Sequence, residues 1–457
     1  MKKTVVINVV GLTPSLIGEN TPFLHQWIKQ GSLSSIKPVL PAVTCSAQAT
    51  YLTGKYPNEH GIVGNGWYFE EECEIKFWRQ SNKLVQAEKI WEKAKKIDSS
   101  FTCANLFWWY NMYSTVDYSV TPRPQYLADG RKMPDCYSSP ADLRDKLQEK
   151  LGIFPLFDFW GPRTSIKSSQ WIAEASKLVE EWHGPTLTLI YLPHLDYNFQ
   201  RHGTQHPSIP KDLREIDQVC QDLITFYEKR ATQVVVLSEY GITDVNHPIH
   251  LNRILRQHNY LAIRQERDLE LLDAGASKAF AVADHQIAHV YVNDKNELNK
   301  VRAILENTVG IKLILDEKSK ADFGLNHSRS GDFVVVADKD SWFTYYYWLD
   351  DKKAPDFARI VDIHKKPGYD PLEMFANPKI KLLPLVVAGK LLKKKLGFRM
   401  LMDIIPLDAT LVKGSHGRIP ENERDRPLLI SKRNDLLSAQ PIDSSAVFDV
   451  LWKHLIS

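Results

Sequence analysis

Short apolar runs at residues 5–10, 187–192, 234–237 and 333–337 alternate along the chain with longer stretches of helical patterning. This alternation predicts an α/β fold with those runs as buried core strands. The first three runs each lead into polar sequence containing Gly or Asp. Open α/β sheets place their sites beyond the carboxyl ends of strands, so chemistry is sought at those three exits.

Composition narrows the classes. A chain of 457 residues, 43% hydrophobic and 25% charged, can bury a large core. A net charge of +3 is too mild to imply binding to a nucleic acid polymer. Five dispersed cysteines without a CxxC pair fit reduced thiols. The opening Met1-Lys2-Lys3 precedes a short apolar run interrupted by Asn8, which fits a first strand better than a secretion signal. No run approaches the roughly 20 apolar residues of a membrane span. The expectation is a cytoplasmic protein forming one domain over 1–457, with insertions or cap segments at 95–170 and 255–400.

Two segments differ in character. Residues 107–113 are dense in aromatics, and Thr121-Pro122-Arg123-Pro124 and Asp129-Gly130-Arg131-Lys132 follow. Such density reads as packing, with a cap over a site as the alternative. Residues 379–399 mix apolar residues with lysines, which reads as a solvated or contact face, or as an interfacial basic helix.

The stretch from Pro41 to Asn65 carries the most chemical information. A hydroxyl at a helix start, here Thr44, is an N-cap by default. It is also well placed for phosphate chemistry, because free N–H groups and the helix dipole attract anions. Around it stand Thr53-Gly54-Lys55-Tyr56-Pro57, then His60-Gly61-Ile62, and Asn65 follows Thr44 by 21 residues.

That block resembles the nucleotide pyrophosphatase/phosphodiesterase branch of the alkaline phosphatase superfamily. The resemblance implies an α/β/α sandwich with a central, mostly parallel sheet. It also implies a phosphoesterase acting on a small-molecule phosphate ester through a covalent threonine intermediate, with help from a divalent metal, zinc in the family. Thr44 would attack phosphorus, Asn65 would donate to a nonbridging oxygen, and His60 would support the turn. Cys45 lacks the proline and arginine of a sulfatase signature.

Asp196 and His202 resemble the branch's Asp and His for one zinc, although they stand six apart where the family has four, and Gln200 holds the four-spaced place. His194 is the substitute. His416, in Gly414-Ser415-His416-Gly417, resembles the late ligand of the same zinc.

The second zinc site departs from the pattern. The family's carboxylate after the first strand is Val10 here, and its Asp-His pair is Glu239-Tyr240. Glu239 remains a metal-ligand candidate, whereas Tyr240 suits a hydrogen bond to phosphate. His285 and His327 are candidate bases or substrate contacts, and Arg123, Lys132 and Arg329 are candidate phosphate clamps against ordinary salt bridges. His285 and His289, four apart, also admit a structural role. Two rival readings stand beside the hydrolase: a non-catalytic phosphate-ligand binding protein and a phosphomutase-like transferase.

Overall fold

The computed structural model describes residues 1–128, 131–437 and 440–457; Asp129 and Gly130 lie outside the described residues. Nine strands form the main sheet: β1 (Thr4–Val9), β2 (Ser32–Lys37), β3 (Cys103–Leu106), β4 (Tyr118–Pro122), β5 (Cys136–Ser139), β6 (Leu187–Leu192), β7 (Gln233–Leu237), then Leu428–Ser431 and Ile442–Asp443. β1 is central and pairs in parallel with β6 and β7, with Asn8 opposite Tyr191 and Leu237. β6, β3 and β4 continue the parallel run, while Leu428–Ser431 and β5 add antiparallel neighbours. Every residue of β1 and β6 is buried, as strands covered on both faces require. The architecture is therefore α/β with a central, mostly parallel sheet, in line with the expected class.

Because β3, β4 and β5 belong to the main sheet, much of 95–170 is core and not an added cap. What stands outside the sheet there includes a small hairpin, Gln125–Tyr126 with Lys132–Met133. The region 255–400 does carry a second structure. Its four-stranded antiparallel sheet includes β8 (Ala279–Asp284) and β9 (Ile287–Val292), and has its own apolar core. The aromatic run divides: Phe107 and Trp108 enter the main core, whereas Trp109 faces a cavity. Among the described residues no helix is long and apolar enough to cross a membrane.

Candidate active site

Three strand exits converge beside one helix. β1 ends before Val10 and Gly11; β6 leads into helix α1 (His194–His202), which carries Asp196; β7 leads into Glu239 and Tyr240. The helix Thr44–Thr53 starts at Thr44 itself, with Val43 as the flanking cap residue, so Thr44 does not serve as the N-cap. All ten residues of that helix are buried, and Thr44 reaches a cavity of about 100 Å³.

The Thr44 hydroxyl lies 3.3 Å from the Tyr240 phenol oxygen, and Tyr240 donates to Asp196 Oδ1 at 3.2 Å. A phenol has one proton, and it goes to Asp196, so Thr44 is the donor to Tyr240. The result is a directed chain, Thr44 to Tyr240 to Asp196. Burial pushes the Asp196 carboxyl up to about 7, against the hydrogen bonds from Gln200 and Tyr240, which favour its charge.

Tyr240 is also the end of a column of rings. Its ring lies 3.5 Å from that of His416, His416 lies 3.8 Å from His285, and His285 lies 3.5 Å from Tyr369. His416 Nδ1 meets the Ala42 carbonyl at 2.9 Å, which holds the proton on Nδ1 and leaves Nε2 as a lone pair. That Nε2 stands 3.8 Å from Asp196 Oδ1 and has no hydrogen-bond partner. Burial keeps both imidazoles well below their usual range, so both are neutral.

Glu239 is fully buried and accepts from Asn8 Nδ2 and Gln48 Nε2, each at 2.5 Å. Burial pushes it up to about 8, although the Gln48 and Asn8 hydrogen bonds pull the other way. It is thus a carboxylic acid near neutral pH, held by amides.

Asn65 is positioned by the second sheet. Its Nδ2 donates to Asp284 Oδ1 at 3.1 Å, its Oδ1 accepts from Cys45 N at 3.0 Å, and its backbone N–H donates to Asp284 Oδ2 at 2.8 Å. Asp284 also pairs with His285 Nδ1 at 2.8 Å. His285 sits in the turn between β8 and β9 at φ +62°, a strained conformation for a non-glycine residue that aims its ring into the cavity.

Several expected site residues lie elsewhere. His202 is exposed and stacks on His206 at 4.4 Å. Six positions along a helix turn a side chain about 240° from the start, so Asp196 and His202 face apart. Gln200 takes the facing place and donates to Asp196 Oδ2 at 2.9 Å, while Tyr369 donates to its Oε1 at 2.9 Å. His194 points to Asp212 and Glu215, its Nε2 at 3.7 and 3.3 Å from them. Among the described residues this is where three His, Asp or Glu ligand atoms come within 4.8 Å of one another.

His327 bonds Gln86 at 2.9 Å and does not line the cavity. Arg329 donates to the carbonyls of Gly61 and Leu84 at 2.7 and 2.8 Å, so it braces the turn. His289 is locked by the Val63 carbonyl and the Gly331 N–H, and His60 by Thr50 and the Ile62 N–H. Arg123 and Lys132 do reach the cavity wall, among Trp78, Trp109, Phe159 and Trp160.

These residues do not fit the two-zinc centre that the resemblance implies. Val10 offers no donor, Glu239 already accepts from the Asn8 and Gln48 amides, and Tyr240's phenol is engaged by Thr44 and Asp196. At the other site Asp196 and His416 remain, but Gln200 has both polar atoms engaged. Catalytic zinc sites ordinarily have three protein ligands.

A family model for type I phosphodiesterase/nucleotide pyrophosphatase matches residues 4–370. The chain is 25% identical over 274 residues to ectonucleotide pyrophosphatase/phosphodiesterase 1 of Saccharomyces cerevisiae, covering 53% of this chain and 34% of the relative. It is 25% identical over 265 residues to the same yeast's ectonucleotide pyrophosphatase/phosphodiesterase 2, covering 53% and 48%. It therefore spans less than half the length of these relatives. The fold is similar to murine ectonucleotide pyrophosphatase/phosphodiesterase 5 in complex with AMP (TM-score 0.58, 12% identity, 100% of this chain and 95% of that one). It is also similar to phosphonoacetate hydrolase from Sinorhizobium meliloti (TM-score 0.62, 14% identity, 99% and 95%).

Proposed function

The chain belongs to the type I phosphodiesterase/nucleotide pyrophosphatase family, and from that membership we propose a phosphoesterase in which Thr44 attacks phosphorus through a proton relay built from side chains. The observation that carries this reading is the hydrogen-bond chain from Thr44 through Tyr240 to Asp196. Asp196, raised to about 7, is matched to accept a proton near neutral pH.

In the proposed step, Thr44 Oγ1 bonds to phosphorus while its proton passes to the Tyr240 oxygen. Tyr240's own proton passes to Asp196 Oδ1, so the phenol is never left as a phenolate, whose formation burial disfavours strongly. The bond from phosphorus to the leaving oxygen breaks. Water then attacks phosphorus and the bond to Thr44 Oγ1 breaks; the relay returns the proton from Asp196 through Tyr240 to Thr44, and the water's second proton goes to solvent. The start of the Thr44 helix offers its positive dipole end to the phosphate, and Arg123 and Lys132 add cationic charge at the wall. The aromatic wall suits an apolar or stacking portion of the ester.

The relay runs through side chains alone. The test is incubation with bis(4-nitrophenyl) phosphate followed by mass spectrometry of the acid-quenched protein, looking for a Thr44 peptide that carries a 4-nitrophenyl phosphoryl group.

The binding-protein reading draws on one specific observation, the replacement of metal-ligand positions by Val10 and by the amide-bound Glu239. It is distinguished by ligand binding without adduct or turnover.

A further inference from the structure

Between Asn377 and Ile404 the chain leaves the body of the protein and returns, closed at its base by the hydrogen bond from Asn377 N to Ile404 O at 2.7 Å. The excursion contains helix α2, here Leu383–Lys395, in which no residue is buried. Leu382, Leu385, Leu396 and Phe398 are each at least 65% exposed. Single exposed leucines are ordinary, but a contiguous group marks a surface that meets something else. Residues 379–401 also hold seven lysines and arginines and no Asp or Glu. The nearest acid along the chain, Asp403, pairs with Lys390.

We propose that this excursion seats the protein on an anionic bilayer surface, with its leucines and Phe398 at the acyl boundary and its cations among phosphate headgroups. Charge decides the occupant. A second copy meeting the same patch across a two-fold axis would set seven cations against seven, whereas an anionic lipid surface neutralises them. Length decides the mode. Thirteen helical residues rise about 20 Å, short of the ~30 Å hydrocarbon core, so the helix lies along the surface. Arg399 Nη2 donates to Ala128 O at 3.3 Å, tying the excursion to the hairpin that supplies Tyr126 and Lys132 to the cavity wall. Tyr126 and Met133 of that hairpin are themselves exposed.

The experiment is co-sedimentation of the full chain with vesicles of phosphatidylcholine alone and of phosphatidylcholine mixed equally with phosphatidylglycerol. Binding is expected to the mixed vesicles only, and to weaken as salt is raised. The variant K393E/K394E/K395E should lower partitioning at least about a hundredfold, from roughly fivefold per cation. L385S/L392S/L396S should also lose binding. Both should keep the wild-type circular dichroism and thermal midpoint, since no residue of the helix is buried. Failure of the wild type to sediment with anionic vesicles, or unchanged binding by either variant, would overturn the proposal. So would a wild-type dimer that the leucine variant converts to monomer without any vesicle binding. Because no turnover is measured, the outcome is independent of the catalytic reading.

Discussion

Tyr240 holds its phenol oxygen 3.3 Å from the hydroxyl of Thr44 and donates a hydrogen bond to Asp196 at 3.2 Å, so one side chain joins the hydroxyl to the carboxylate. The arrangement makes the reacting hydroxyl a hydrogen-bond donor before any substrate arrives.

Replacement of Thr44 by Ala should abolish turnover of bis(4-nitrophenyl) phosphate while changing stability by about 1 kcal/mol, the usual net value of one buried hydrogen bond. A chromogenic assay beside a denaturant melt measures both. Substantial residual turnover would remove Thr44 from the nucleophile's role.

Asp196 must be ionised to accept the relayed proton. With its carboxyl near 7, kcat/KM should rise with pH through about 7. Asp196→Asn should lower the rate by about 10² or more and remove that limb of the profile. A limb that survives the substitution belongs to another group.

Glu239 gives a stability test. Its folded pKa is raised from 4.5 to about 8, so the folded state holds a proton that the unfolded state has lost. The associated stability is fully present below about 4.5 and falls as pH rises towards 8, by at most about 1.4 kcal/mol per pH unit. The histidines with depressed values, such as His60 at about 3, act in the opposite direction only below about 6.5. Between pH 7 and 8, Glu239→Gln should therefore flatten the decline seen in wild type, and urea melts across that window would read it. An unchanged slope would show that Glu239 is ionised in the folded protein.

The Thr44 to Asn65 block was legible because its pieces are close in sequence and the turn fixes their relation. Asp196 and His416 were legible as short motifs, and the structure places them together. His202, six positions on, turns away from Asp196 along the helix, whereas the four-spaced Gln200 shares its face. The partners of the site were beyond reach: Asp284, which orients Asn65, and Tyr369, which completes the ring column, come from the 255–400 region by tertiary packing alone. Asn8 lies in a strand and Gln48 in a helix, and tertiary packing alone brings both amides to Glu239.

Restoring the family's ligands should restore metal. The triple variant Val10→Asp, Glu239→Asp and Tyr240→His removes the bridging phenol and supplies three donors together. A lone Asp at position 10, which is fully buried, would be an unpaired charge costing several kcal/mol. Elemental analysis should show a gain of bound zinc per chain over wild type. A folded triple variant that gains none would mean that the backbone around the site has itself moved away from metal geometry.

The most direct measurement is turnover of bis(4-nitrophenyl) phosphate by wild type and Tyr240→Phe, each before and after exhaustive chelation. Wild type should keep its rate after chelation, and Tyr240→Phe should fall by about 10² or more in both conditions, because the phenyl ring preserves the stack on His416 but cannot carry a proton. Loss of wild-type activity on chelation with recovery on adding zinc, or full activity in Tyr240→Phe, would contradict the relay.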